Sequence, residues 1–298
     1  MRKSVRDIGF DFTAQREGFT PYMYADVLNL VTTGVGNLID RGPNNPAATT
    51  RERAALNNVV SASAMAPAML MPWKLKAPGW TSKNPLAGER VSPAEIADAW
   101  TKVKRQNEVV PGFAQKGGGA YANLTNITLD LDGIRNLFNG TADRFNATLV
   151  KHFPDFESWP ADAQLATLFG MSWALGPDFP AHFPQFKAAA LKRDFDAAGA
   201  ASKFQGVAGQ KRNPENAQMF ANAAQVERSG ADPEVLIFPG GPHNVSPASP
   251  PSAVATLAPS GRSMLATLVL VGAVGAGGYA FYRYGLPILT APKRGRAS

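Results

Sequence analysis

The segment from Arg16 to Asn37, REGFTPYMYADVLNLVTTGVGN, constrains the fold more than any other part of the chain. Before it, Val5, Ile8 and Phe12 share one face of a short amphipathic helix over residues 1–16, because apolar residues three and four apart line one side of a 3.6-residue turn. From 22 to 39 the composition changes to Tyr, Val, Leu, Thr and Gly, which suits a small twisted hairpin. Glu17 therefore stands where a helix meets a sheet. A carboxyl group partly buried at such a junction holds its proton to higher pH than one in water.

The rest of the chain reads as mostly helical. Ser92-Pro93-Ala94-Glu95 is a capping box with proline at the first helical position, and Ile96, Trp100 and Val103 repeat at helical spacing after it. Further helices are expected over 130–140, 141–152, 161–175, 183–192, 194–204 and 214–228, the last started by Asn213-Pro214. The expected fold class is therefore α+β, mostly helical with a small β-hairpin lobe. Residues 1–235 form one domain, with an inserted region at about 40–127. That region is broken by Pro43, Pro46, Pro67, Pro72, Pro78 and Pro85, yet Met65, Met69, Leu70, Met71 and Trp73 give it something to bury. The run Gly117-Gly118-Gly119 lacks the Lys and hydroxyl residue of a phosphate loop and reads as a flexible connection.

The C-terminal end differs in kind. Residues 236–262 are rich in Pro, Ser and Ala and read as a linker. Met264 to Tyr282 is nineteen residues without a charge, about 28 Å as a helix and close to the thickness of a bilayer core. Tyr279, Tyr282 and Tyr284 stand where interfacial aromatics belong, and Arg283, Lys293, Arg294 and Arg296 follow. The expectation is a C-terminal transmembrane helix at 263–285 that meets the lipid bilayer through 264–282, with a basic tail at 286–298. Gly272 with Ala276, and Ala273 with Gly277, are spaced for helix–helix self-association.

Composition excludes several chemistries. The chain of 298 residues has no cysteine, which removes disulfides, thiolate metal sites and a cysteine nucleophile. His152, His182 and His243 match no ligand spacing, so no metal and no other cofactor are expected. The net charge of +7 favours anionic partners such as wall polymers or lipid head groups. No basic stripe with interleaved aromatics points to nucleic acid. Gly170-Met171-Ser172-Trp173-Ala174 approaches a nucleophile elbow but lacks its second glycine and lies in an expected helix, so it reads as core. The five tryptophans, Trp73, Trp80, Trp100, Trp159 and Trp173, read as core rather than sugar-stacking platforms.

What remains is the constellation after the first helix. Glu17 is followed nine residues on by Asp26, then by the hydroxyl of Thr32, then by Gly34 and Gly36, where the backbone can turn and approach a ligand. Glycoside hydrolysis needs one carboxylic acid to protonate the leaving oxygen. It needs a second polar or acidic group to activate water or stabilise positive charge at the anomeric carbon. On a more open hairpin Asp26 is expected to stay ionised.

The full pattern, E-G-x5-Y-x-D-x5-T-x-G-x-G on Glu17, Gly18, Tyr24, Asp26, Thr32, Gly34 and Gly36, resembles the active-site signature of the phage-type lysozymes. These are the endolysin and muramidase family of glycoside hydrolases that includes T4 phage lysozyme. Gln164 to Pro177 resembles the family's central buried helix, Phe183 to Phe204 the helix pair after it, and Asn213 to Arg228 the closing helix. The chain departs from the family at Asn29, Asn37 and Ala174 and in the length of 40–127.

The resemblance implies a lysozyme-like fold with a cleft between hairpin and helical lobes. It implies hydrolysis of the β-1,4 bond between N-acetylmuramic acid and N-acetylglucosamine in peptidoglycan glycan strands. Glu17 would be the general acid. Asp26 would assist the water or stabilise charge, and Thr32 would position the water. Tyr24, Gly34, Gly36 and Asn37 would line the substrate cleft. The expected setting is phage-related host lysis or wall penetration, with a membrane-anchored enzyme acting in the periplasm or at the cell wall. Two alternatives stand beside it: a lytic transglycosylase, and a non-catalytic wall-docking protein of a phage particle.

Overall fold

The computed structural model describes residues 1–40 and 62–241. Helix α1 runs over Lys3–Glu17 and ends at Gly18, whose φ of 79° lets the chain leave the helix sharply. Strands β1 (Thr20–Ala25), β2 (Val31–Gly34) and β3 (Asn37–Leu38) follow as an antiparallel sheet in the order β1-β2-β3. Tyr24 pairs with Thr32 and Ala25 with Val31. Asn29 takes the hairpin turn at φ 58°, a left-handed conformation that asparagine tolerates.

The region expected to be an irregular insertion is built into the fold. It contains α2 (Ala62–Met69), β4 (Lys74–Lys76), β5 (Ala87–Arg90), α3 (Pro93–Val109) and β6 (Ile127–Thr128). The strands form a second antiparallel sheet in the order β5-β4-β6. Sequences such as Lys-Leu-Lys and Ala-Gly-Glu-Arg carry too little apolar alternation to announce strands. Helix α3 starts at the expected capping box: Ser92 Oγ accepts from Glu95 N at 3.3 Å, and Glu95 Oε2 accepts from Ser92 N at 2.7 Å. Trp73, Ile96, Trp100 and Val103 share one hydrophobic core with Phe10, Phe138 and Phe169. The sheet is tied to the hairpin lobe where Leu129 N donates to the Pro21 carbonyl at 2.7 Å.

Helix α4 (Leu131–His152) is one helix where two were expected. Gly140 marked the supposed break, but its cost of about 1 kcal/mol against alanine is small. The buried stripe Ile134, Phe138, Ala142, Phe145 and Leu149 runs straight past it. The central helix is α5 (Ala161–Leu165), a π-helical stretch (Ala166–Ser172) and α6 (Trp173–Leu175), buried throughout. Phe138 stacks on Phe169 at 5.4 Å and meets Trp173 at 4.9 Å, which fixes α4 against it. Ser172 Oγ donates to the Thr167 carbonyl at 2.8 Å, in keeping with a core role for that segment.

Helices α7 (Pro184–Leu191), α8 (Phe195–Ala201) and α9 (Val207–Ser229) complete the helical lobe. Helix α9 begins before the expected start and carries Pro214 inside it. The Asn213 side chain does not cap α9. It grips the backbone of Phe204 instead, accepting from N at 3.1 Å and donating to O at 2.8 Å.

Two expectations for the C-terminal end change. Residues 236–241, read as the start of a linker, are docked: Asp162 accepts from Ile237 N at 2.8 Å and from Phe238 N at 3.0 Å, and Phe238 packs on the core. Among the described residues the fold class is α+β and mostly helical, and the expected C-terminal transmembrane helix is not among its helices. No helix among the described residues is long and apolar enough to cross a membrane. The long helix α9, for example, carries Lys211, Arg212, Glu215, Glu227 and Arg228, and charged side chains at bilayer depth are costly. Residues 263–285 lie outside the described residues.

Candidate active site

Glu17 is the last residue of α1, and its side chain is 3% exposed. Burial pushes its carboxyl above the ordinary carboxylate range, while the charges of Arg212 and Arg16 pull the other way. The C-terminal end of a helix carries partial negative charge, which also disfavours an anion there. Arg212, 4% exposed and on α9, donates a hydrogen bond to Glu17 Oε1. The neighbouring Arg16 pairs with Glu215 of α9 at 2.5 Å. Two ion pairs with charges crossed thus join the end of α1 to one turn of α9. Sequence reasoning missed Arg212. A buried carboxylate calls for a cation, but nothing in the sequence said which one, and Arg212 stood before the expected start of its helix.

The hairpin places Tyr24 and Thr32 on one face: they are cross-strand partners, so their side chains lie on the same side of the sheet. Asp26 comes just after β1 and begins the turn, where its side chain is held by the loop that follows. The phenol of Tyr24 feels the negative charge of both Asp26 and Glu17 and, buried as it is, has its pKa raised. Tyr24 is therefore the side chain within electrostatic reach of both carboxyl groups. Thr32 is 5% exposed, and among the described residues its hydroxyl makes only a long 3.4 Å contact to the Leu30 carbonyl.

Asp26 differs from expectation. It is 6% exposed rather than open to solvent. Burial raises its pKa to about 7, against the opposing hydrogen bonds from Leu30 N and Leu28 N and the charge of Lys104. Those two amides donate to Oδ1 at 2.9 and 2.8 Å and close the loop around the carboxylate.

The turn between β2 and β3 packs against Glu17. A Cβ on Gly36 would lie 3.4 Å from Cβ and Cγ of Glu17, and Gly36 holds φ at 78°. From the other side Trp173 Nε1 donates to the Val35 carbonyl at 2.9 Å. The Asn37 side chain links this turn to α4: its amide donates to Thr141 Oγ1 at 3.1 Å, and its Oδ1 accepts from Val35 N at 3.3 Å. It braces the turn, as does Gly34, whose Cβ position lies 3.0 Å from Asn37 Oδ1. Within the run of glycines at 117–119, Gly118 packs closely on the hairpin, where a Cβ would lie 3.3 Å from Thr20 Oγ1 and 3.4 Å from the Tyr24 ring, whereas a Cβ on Gly119 would meet open space. Trp73, Trp100, Trp159 and Trp173 are core side chains.

Among the described residues, no three His, Asp or Glu side chains are grouped to hold a metal ion. The arrangement offers a proton donor, a second carboxyl and a hydroxyl in one neighbourhood. Comparison with protein-family models, with curated proteins and with solved structures gives no match to this chain.

Proposed function

We propose that this protein is a lysozyme-type peptidoglycan hydrolase that cleaves the β-1,4 bond between N-acetylmuramic acid and N-acetylglucosamine, with Glu17 as general acid. The observation that carries the reading is the buried Glu17 carboxyl, raised in pKa at the helix–hairpin junction, with Tyr24, cross-strand partner of Thr32, within reach of the charges of both Glu17 and Asp26. A carboxylic acid that holds its proton to higher pH than an ordinary carboxyl can donate it to a glycosidic oxygen. Arg212 then sits against the carboxylate that this leaves behind. Asp26 as an anion and the Thr32 hydroxyl orient a water toward the anomeric carbon from the hairpin side.

The test is Glu17→Gln on purified peptidoglycan, read as release of new reducing ends. Loss of a general acid lowers rate by about 10²–10⁴-fold, and circular dichroism should match wild type. Release by the variant within a few-fold of wild type, or none from wild type, overturns the reading.

A further inference from the structure

Lys104 is an ammonium that the proposed chemistry does not use, yet its side chain is fully buried. It comes from α3, in the region that looked like an insertion, and reaches into the hairpin. Its Nζ donates to the Asn29 carbonyl at 2.6 Å and to Asp40 Oδ2 at 2.8 Å. Asp40 Oδ2 also accepts from Val31 N at 3.1 Å. In return, Asn29 Nδ2 donates to the Lys104 carbonyl at 3.1 Å. The helix and the 26–30 loop are thus bonded in both directions. A buried ammonium without such partners would be too costly to retain, so the cluster is a built one.

We propose that Lys104 is a positioning residue for the catalytic hairpin: its clamped ammonium fixes the 26–30 loop around Asp26 and favours the Asp26 anion against the burial that favours the acid. The inference rests on the reading of Asp26 as a group of the lysozyme site. The loop is the one whose Leu28 and Leu30 amides donate to Asp26 Oδ1. The groups that act on Asp26 come from several elements. Lys104 of α3 favours its anion and Asp40 after β3 opposes it. Tyr24 of β1 and Tyr121, from the turn after α3, lie within reach of its charge. Lys104 is the cation among them. The long segment between hairpin and α4 thereby supplies the charge that the hairpin lacks.

Carboxyl-carbon NMR of the full chain reads the titration midpoint of Asp26 without requiring activity. In Lys104→Met the midpoint should rise by about one pH unit or more, since an opposite charge nearby shifts a carboxyl by that much. Lys104→Arg keeps the charge and should restore most of the difference. Asp40→Asn removes the opposing carboxylate while leaving an acceptor for Lys104, and should move the midpoint down. It serves also if the methionine variant does not fold. An Asp26 midpoint unchanged in folded Lys104→Met, or unmoved in Asp40→Asn, overturns the proposal even where Glu17→Gln abolishes lysis. If wild type releases no reducing ends, the lysozyme reading fails while the titration still reports on the clamp.

Discussion

Arg212 on α9 donates to the carboxylate of Glu17 at the end of α1, although 195 positions separate them in sequence. Both side chains are buried, so neither charge has water to turn to. Arg212 favours the anion of Glu17 and burial favours the acid, with burial the larger effect. Arg212→Met removes the opposing influence. Glu17 should then hold its proton to higher pH, and the descending limb of the pH profile of kcat/KM should move upward. The variant also strands a buried carboxylate, which costs about 3–5 kcal/mol where Glu17 is ionised. Urea unfolding at about pH 8 and about pH 5 should therefore show the larger loss at the higher pH. An unmoved limb would mean that Arg212 does not govern the acid.

Asp26 gives a second pH dependence, with its own sign. Its folded pKa of about 7 lies above the ordinary 3.8. The folded state therefore binds the proton more tightly than the unfolded chain. The stability this confers is complete below about pH 4 and is lost as pH rises through 7. Asp26→Asn keeps an oxygen for the amides of Leu28 and Leu30 and removes the titration. It should be more stable than wild type by roughly 2–4 kcal/mol above pH 8, with the difference vanishing near pH 4. Its lysis should be lost at every pH. Equal stability of the two proteins at high pH would show that Asp26 ionises in the fold as freely as in water.

The helix-to-hairpin passage was legible in the sequence because its signals are local. Apolar spacing marks α1, and the capping residues Ser92 and Glu95 mark α3 directly. The pairing of Tyr24 with Thr32 follows from equally local signals, since a short hairpin fixes the register of its two strands. What was not legible depends on contacts distant in sequence. Lys104 reads as a surface lysine on an amphipathic helix until Asp40 and Asn29 are placed beside it. Asn213-Pro214 reads as a helix start, but the asparagine spends its amide on Phe204. The strand Lys74–Lys76 has no apolar alternation of its own and is strand because β5 and β6 flank it.

Gly36 tests how closely the turn must approach the acid. The obstacle to alanine there is the φ of 78°; its Cβ would meet the Glu17 side chain at 3.4 Å, an ordinary contact. The backbone conformation alone costs about 1–2 kcal/mol for a residue with a Cβ. Gly36→Ala should lower stability by about that amount and, if the turn shifts to relieve the strain, reduce lysis further than the stability loss explains, because the turn packs on Glu17. The check is kcat measured well below the melting temperature. Full kcat in a destabilised variant would place the turn outside the reacting geometry.

Thr32 separates water addition from internal cyclisation. A transglycosylase closes an anhydro ring with one acid and has no use for a water-holding hydroxyl, whereas hydrolysis requires the water to be aimed. Thr32 lies on the Tyr24 side of the hairpin, and among the described residues its hydroxyl has only the 3.4 Å contact to Leu30 O, so its oxygen has bonding capacity to offer. Thr32→Val keeps the shape and removes the hydroxyl. Loss of one such hydrogen bond in the transition state corresponds to about 10–100-fold in rate, and Thr32→Ser should recover most of it. Digestion in oxygen-18 water should leave the label on the new reducing ends. Mass spectra dominated by unlabelled anhydro-muropeptides, with Thr32→Val as fast as wild type, would mean that Glu17 works without a water partner and that the hairpin serves another purpose.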